Sequence, residues 1–196
     1  MTDGTRGERI GIFGGTFDPP HVGHLVTAVN VRHALELDRV LLVVANEPWQ
    51  KVGERAISPA VDRLAMVEAA VGDVAGLEAS DLELRRGGPS YSAETLAELA
   101  VPGGRELFLM LGTDAAAGLP TWEKVERVAS LSTIVVVDRP GDASRLPEGF
   151  SWVRVEVPRL EVSSTDLRAR VTDGRPLDYL VDPAVISCLQ QRRLYR

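Results

Sequence analysis

The strongest constraint on the fold of this chain is an alternation. Short apolar runs rich in β-branched residues, Arg9–Phe13, Val40–Ala45, Glu106–Leu111, Thr133–Val137 and Val153–Val157, are separated by longer amphipathic stretches. Runs of that length and composition read as strands. The stretches Gly23–Leu37, Pro59–Val71, Ala93–Leu99 and Glu123–Ala129 carry helical periodicity. A strand followed by a helix before the next strand must cross back over its sheet, and right-handed crossovers make the strands parallel. The expected fold class is therefore α/β, a doubly wound, mostly parallel sheet with helices on both faces. Ligands in such folds gather at the carboxyl ends of the strands.

The 196 residues suit one domain, 1–196, able to bury a core without disulfides or metal. After Ser163-Ser164-Thr165 come a short helix and a closing helix from about Pro183 to Gln191, a C-terminal helical subregion over about 163–196. The segment Asn46–Ser58, with Pro48 and Gly53, reads as a lid-like loop, and Gly141–Gly149 as a surface excursion. Cys188 is the only cysteine, which fits a reducing, cytoplasmic setting. The polar start Met1–Arg9 carries no signal-peptide pattern, and Val40–Ala45, the longest apolar run, is too short for a bilayer. Neither membrane nor nucleic acid is an expected partner, since a net charge of −6 repels the latter. Anionic ligands would need a local cluster of positive groups.

Such a cluster is offered by Gly14-Gly15-Thr16-Phe17-Asp18-Pro19-Pro20-His21-Val22-Gly23-His24, which follows the first strand and opens the first helix. Two glycines at a strand end let backbone approach a ligand and take positive φ. The unpaired N–H groups and dipole of the helix start favour a phosphate there. His21 and His24, at i and i+3, can turn both rings to one side. Caps or packed residues are the alternative, and a zinc pair lacks further ligands nearby. Asp18 either orients a metal-bound water or braces the loop. The sequence Val162-Ser163-Ser164-Thr165-Asp166-Leu167-Arg168 likewise precedes a helix. Its hydroxyls can cap the helix or, with Arg168 one turn on, hold phosphate.

The first segment resembles the Gly-Gly-Thr-Phe-Asp-Pro-x-His-x-Gly-His signature of the His-x-Gly-His nucleotidyltransferase superfamily, and the second resembles its Ile-Ser-Ser-Thr-x-x-Arg signature, with Val162 for isoleucine. The resemblance implies a Rossmann-like nucleotidyltransferase fold. It gives His21 and His24 catalytic roles on the triphosphate, with Gly14, Gly15, Thr16 and Phe17 beside them. It gives Ser164, Thr165 and Arg168 the β- and γ-phosphates.

Further segments resemble nicotinate-nucleotide adenylyltransferases. Gly88-Pro89-Ser90-Tyr91-Ser92-Ala93-Glu94-Thr95-Leu96 is similar to their Gly-Pro-Ser-Tyr-Thr-x-x-Thr-Leu segment, which implies that Tyr91 and Ser92 bind the acceptor, Ser92 at the nicotinate carboxylate. Gly112-Thr113-Asp114 with Leu119-Pro120-Thr121-Trp122 is similar to their Gly-x-Asp-x-x-x-x-Leu-x-x-Trp. This joins Gly112 and Asp114 to the ATP-binding set, with Asp114 suited to ribose hydroxyls, and gives Trp122 a pyridine ring to stack on. A core tryptophan is the bland alternative. Arg139-Pro140-Gly141 matches the family's Arg-Pro-Gly and reads either as a ligand of the mononucleotide phosphate or as a surface arginine before a turn. Where the family has Pro-His-Lys, this chain has Pro48-Trp49-Gln50-Lys51; Lys51 keeps the charge as a phosphate ligand, and Trp49 has no assigned role.

The implied substrates are ATP, bringing Mg²⁺ with it, and nicotinate mononucleotide, with no dedicated protein metal site. A homo-oligomer is compatible with the sequence but not specified by it. Two rivals remain: a pantetheine-phosphate type adenylyltransferase of the same superfamily, and a nucleotide-sensing module without turnover.

Overall fold

The computed structural model describes residues 6–48, 56–72, 74–100, 104–138 and 145–196. Six strands, β1 (Glu8–Gly15), β2 (Arg39–Val44), β3 (Leu77–Ser80), β4 (Arg105–Gly112), β5 (Thr133–Asp138) and β6 (Trp152–Glu156), form one sheet in the order β3-β2-β1-β4-β5-β6. Every pairing is parallel. The helices are α1 (Val22–Ala34), α2 (Ala60–Val71), α3 (Leu82–Arg86), α4 (Ser92–Ala100), α5 (Thr113–Ala117), α6 (Val125–Leu131), α7 (Ser164–Asp173) and α8 (Pro183–Arg192).

The alternation is thus realised as a doubly wound α/β sheet. On one face Val40, Leu42, Val44, Met110 and Val135 pack against Ala28 and Val31 of α1 and Val67 and Val71 of α2. On the other, Ile10, Ile12, Leu109, Leu111 and Val136 pack against Leu96 and Leu99 of α4 and Val128 of α6. Two-sided burial explains why these strands read as unbroken apolar runs. A third apolar cluster, with Met66 and Ala70 of α2, Leu167 of α7 and Val185 and Leu189 of α8, fastens the C-terminal helices to the outer side of α2.

Three elements were not legible as segments. β3 is a four-residue edge strand, Leu-Glu-Ala-Ser, with a single neighbour, too short and too polar to declare itself. α3 and α5 are five-residue turns set by what they pack on. Other ends shift by one to three residues; α1 stops at Ala34, for example, and Leu35 turns out of it. The chain passes β1, β2 and β3 in one direction and then crosses to β4 on the other side of β1, which opens a crevice at the carboxyl ends of β1 and β4. Among the described residues no helix is long and apolar enough to cross a membrane.

Candidate active site

The loop from Gly14 to His21 leaves β1 at that crevice. The expected positive φ at Gly14 and Gly15 is not found, because both are the last residues of β1, in register with Val43 and Val44. The left-handed residue is Phe17, at φ 50°. Its ring is 2 % exposed and fills the space under Gly15, where an added Cβ would lie 2.8 Å from it. Gly15 is thus fixed by close packing, whereas a Cβ on Gly14 would project into open space where a ligand fits. The Phe17 side chain is packing, not a ligand; only its backbone can face phosphate.

His21 precedes α1 and His24 lies in its first turn. Their rings stack with centroids 3.7 Å apart, so the i, i+3 spacing does bring them to one side. Phe17 meets the His24 ring edge-on at 5.1 Å. The His21 backbone N–H donates to His24 Nδ1 at 3.1 Å, which makes Nδ1 an acceptor and puts the His24 proton on Nε2. Gly23 lets the His21 ring tuck in, since a Cβ there would sit 3.1 Å from both that ring and Val162.

His21 Nδ1 is buried and has no hydrogen-bond partner among the described residues. Burial lowers the His21 pKa from 6.5 to about 4, so at neutral pH the ring is an uncharged donor. Between those values the unfolded chain binds a proton that the folded chain refuses. Stability is therefore full above pH 6.5 and falls as pH drops toward 4. Thermal melts of the wild type across that window should show a steeper loss than melts of His21→Gln. Parallel curves would rule out a buried neutral His21.

α7 supplies the second signature and settles which hydroxyl does what. Ser163, not Ser164, is the cap, accepting the Asp166 amide at 3.2 Å. Ser164 Oγ donates to Pro19 O at 2.8 Å, and Arg168 donates through Nη1 to Asp18 O at 2.7 Å and through Nη2 to Thr165 Oγ1 at 3.1 Å. The two signatures, far apart in sequence, are therefore fastened together. Asp18 is 1 % exposed and its carboxylate accepts Tyr195 Oη at 2.6 Å and the Ser58 amide at 3.4 Å, which favours bracing over metal-water orientation.

On the opposite side of β1 an open pocket of about 500 Å³ runs from Gly14, Gly15 and Thr16 past Gly112 and Asp114 to Tyr91, Ser92 and Trp122. Tyr91 precedes α4 and Ser92 opens it, so the N-terminus of that helix faces a ligand here. Trp122 packs against the core cluster that holds Leu96 and Leu99 of α4 and also lines the pocket, so the ring is part core and part pocket wall. The pocket wall is preformed. The Asn46 amide donates to Ser90 Oγ at 2.8 Å, its side chain donates to Gly88 O at 3.0 Å, and the Ser90 amide donates to Glu47 O at 3.1 Å. Glu83, 7 % exposed and lining the pocket, is occupied by Thr95 Oγ1 at 2.5 Å.

Lys51, Trp49 and Arg139 lie outside the described residues, as does most of the Asn46–Ser58 loop. Sequence reasoning missed Arg63. Its guanidinium, 1 % exposed, donates to Ser58 O at 2.9 Å, Thr16 O at 2.9 Å and Asn46 O at 3.1 Å, tying the phosphate loop to the pocket wall. The signal was present: an arginine at i, with Met66, Val67 and Ala70 at i+3, i+4 and i+7, stands on the apolar stripe of its helix.

Comparison with known proteins agrees with this geometry. Residues 12–170 match the cytidylyltransferase-like family. A relative from Roseiflexus sp. (strain RS-1), named "Probable nicotinate-nucleotide adenylyltransferase", is 47 % identical over 95 % of this chain and 98 % of its own length. One of the same name from Corynebacterium kroppenstedtii is 42 % identical over 100 % of this chain and 94 % of its own. Among solved structures, the Plasmodium falciparum nicotinic acid mononucleotide adenylyltransferase complexed with NaAD superposes with a TM-score of 0.76 at 17 % identity, covering 96 % of this chain and 97 % of that one.

Proposed function

We propose that this chain, which belongs to the nicotinate-nucleotide adenylyltransferase family, transfers the adenylyl group of ATP to nicotinate mononucleotide, giving nicotinate adenine dinucleotide and pyrophosphate. The observation that carries this reading is the shared strand end. The His24 ring of the stacked pair meets Phe13 and Phe17, the residues that flank the Gly14–Thr16 rim of the pocket, so two nucleotides can approach one α-phosphorus there.

The mononucleotide phosphate is already an anion and needs no general base; it attacks in line as pyrophosphate leaves. The residues then have to position two polyanions and stabilise charge on the transferring group. His24 Nε2–H and His21 are the donors to the phosphoryl oxygens, with Gly14–Phe17 backbone beside them. Ser164, Thr165, Arg168 and Lys51 take the β- and γ-phosphates. Asp114, beside Gly112, accepts ribose hydroxyls, and Arg139 takes the mononucleotide phosphate. Tyr91, Ser92 and the α4 N–H groups take the nicotinate carboxylate, and Trp122 stacks on the pyridine.

Mg²⁺ would arrive with ATP, held by the triphosphate oxygens. When bound, it neutralises charge on the leaving pyrophosphate. The protein acts where ATP is, in the cytoplasm.

The test is pyrophosphate release with ATP and Mg²⁺ and, in parallel, nicotinate mononucleotide, nicotinamide mononucleotide and phosphopantetheine. Turnover confined to, or far faster with, the nicotinate compound is expected. Turnover with phosphopantetheine would overturn the roles of Ser92 and Trp122, and ATP binding without turnover on any acceptor would indicate a sensing module. Within this assay, Trp122→Ala should raise KM for the mononucleotide roughly tenfold, the size of a lost aromatic stack, while KM for ATP stays put. Equal rises in both would remove the stacking role.

A further inference from the structure

The C-terminal tail makes a contact that the reaction as described does not use. After α8 the chain turns back sharply, with Arg193 at φ 53° and Tyr195 at φ 61°, left-handed conformations that L side chains rarely adopt. The turn carries Tyr195 across 177 positions of sequence to the first signature, where its phenol donates to Asp18 Oδ1 at 2.6 Å and its oxygen lies 3.9 Å from Met66 Sδ. Thr172 Oγ1 of α7 lies 3.2 Å from both the Tyr195 carbonyl and the helical carbonyl of Arg168, so its one proton is shared between the tail and its own helix. Burial first, and the Asp18 bond second, push the phenol pKa up, so it stays a donor to a carboxylate that can only accept.

What hangs on Asp18 is the ATP side of the site. Its carbonyl receives the Arg168 guanidinium, the carbonyl of Pro19 receives Ser164 Oγ, and His21 follows two residues later. The Tyr91–Ser92 wall is held by bonds of its own, from the Asn46 amide to Ser90 Oγ and from the Asn46 side chain to Gly88 O.

We propose that Tyr195 is a positioning residue for the ATP half of the reaction: through Asp18 its phenol fixes the Asp18 and Pro19 carbonyls that orient Arg168 and Ser164 against the triphosphate. It touches no substrate. The inference rests on the adenylyltransferase reading and predicts a one-sided defect.

Tyr195→Phe keeps the ring and removes only the donor. The expected result is a fall in kcat with a rise in KM for ATP, together roughly tenfold in kcat/KM, the scale of one hydrogen bond to a charged group, with KM for nicotinate mononucleotide unchanged. Asp18→Asn should give a defect of the same kind, and the double variant should be no worse than the poorer single one. Thr172→Val serves as the control, because it loosens the tail and leaves the phenol; it should lower the melting temperature without moving KM for ATP. Wild-type kinetics in Tyr195→Phe, equal rises in both KM values, or the same kinetic defect in Thr172→Val would each overturn the proposal. Calorimetric titration of ATP into wild type and Tyr195→Phe reads the brace independently of the acceptor. Weakened ATP binding in the variant would uphold it even if the wild type failed to use nicotinate mononucleotide, and equal binding would sink it.

Discussion

Replacing His24 with alanine is expected to lower kcat by at least about a hundredfold, near 2.7 kcal/mol of transition-state stabilisation, in a chain that still folds. The His21 backbone N–H donates to His24 Nδ1 and leaves Nε2–H as the donor that meets charge building on the α-phosphate. Removing the ring deletes that donor and also an acceptor at the helix start, whose loss costs about 1 kcal/mol. These effects separate in a second variant. The carboxamide oxygen of His24→Asn can take the His21 N–H bond, so it should recover the stability and not the rate. Steady-state kinetics and thermal melts of both variants check this. A near-wild-type kcat in His24→Ala would exclude the residue from the chemistry, and recovery of rate in His24→Asn would make its role structural.

The second large effect belongs to a residue remote from the chemistry. Arg63→Met should cost about 3 kcal/mol or more, because the carbonyls of Ser58, Thr16 and Asn46 lose a buried donor at once. For a chain of this size that lowers the melting temperature by roughly 6 to 12 °C. The kinetic signature should be two-sided: Thr16 lies on the loop between the histidines and the pocket, while Asn46 holds the Gly88–Ser90 wall, so KM for ATP and for the mononucleotide should rise together. This contrasts with the one-sided defects of Trp122→Ala and Tyr195→Phe. A melting temperature within about 2 °C of the wild type would mean that the three carbonyls find other donors.

Much of the site could be read from residues because its chemistry is local. Gly14–His24 places two glycines at a strand end and donors at the next helix start, and Ser163–Arg168 places hydroxyls and an arginine at a helix start, each within a short run of chain. Ser92 at the start of α4 and Asp114 just beyond β4 likewise stand at element ends, and both line the pocket. Locality also explains the errors. Positive φ was expected at the glycines from their type alone, but β1 runs on through Gly15 because Val44 of β2 pairs with it, and the strain moved to Phe17. The residues alone left open which hydroxyl of Ser163–Thr165 caps the helix; the fold gives the cap to Ser163 and lets Ser164 reach Pro19.

The sequence by itself determined the alternating α/β order, because hydrophobic period acts over a few neighbouring positions, and its resemblance to known signatures pointed to the candidate phosphate loops and to the nicotinate-nucleotide acceptor. Only the tertiary structure decided that a four-residue edge strand completes the sheet, that Arg63 ties three loops together and that Tyr195 reaches back to Asp18. Those contacts join segments 47 and 177 positions apart. No local period encodes such pairings; they exist because buried carbonyls and a buried carboxylate must find donors once the core has closed around them.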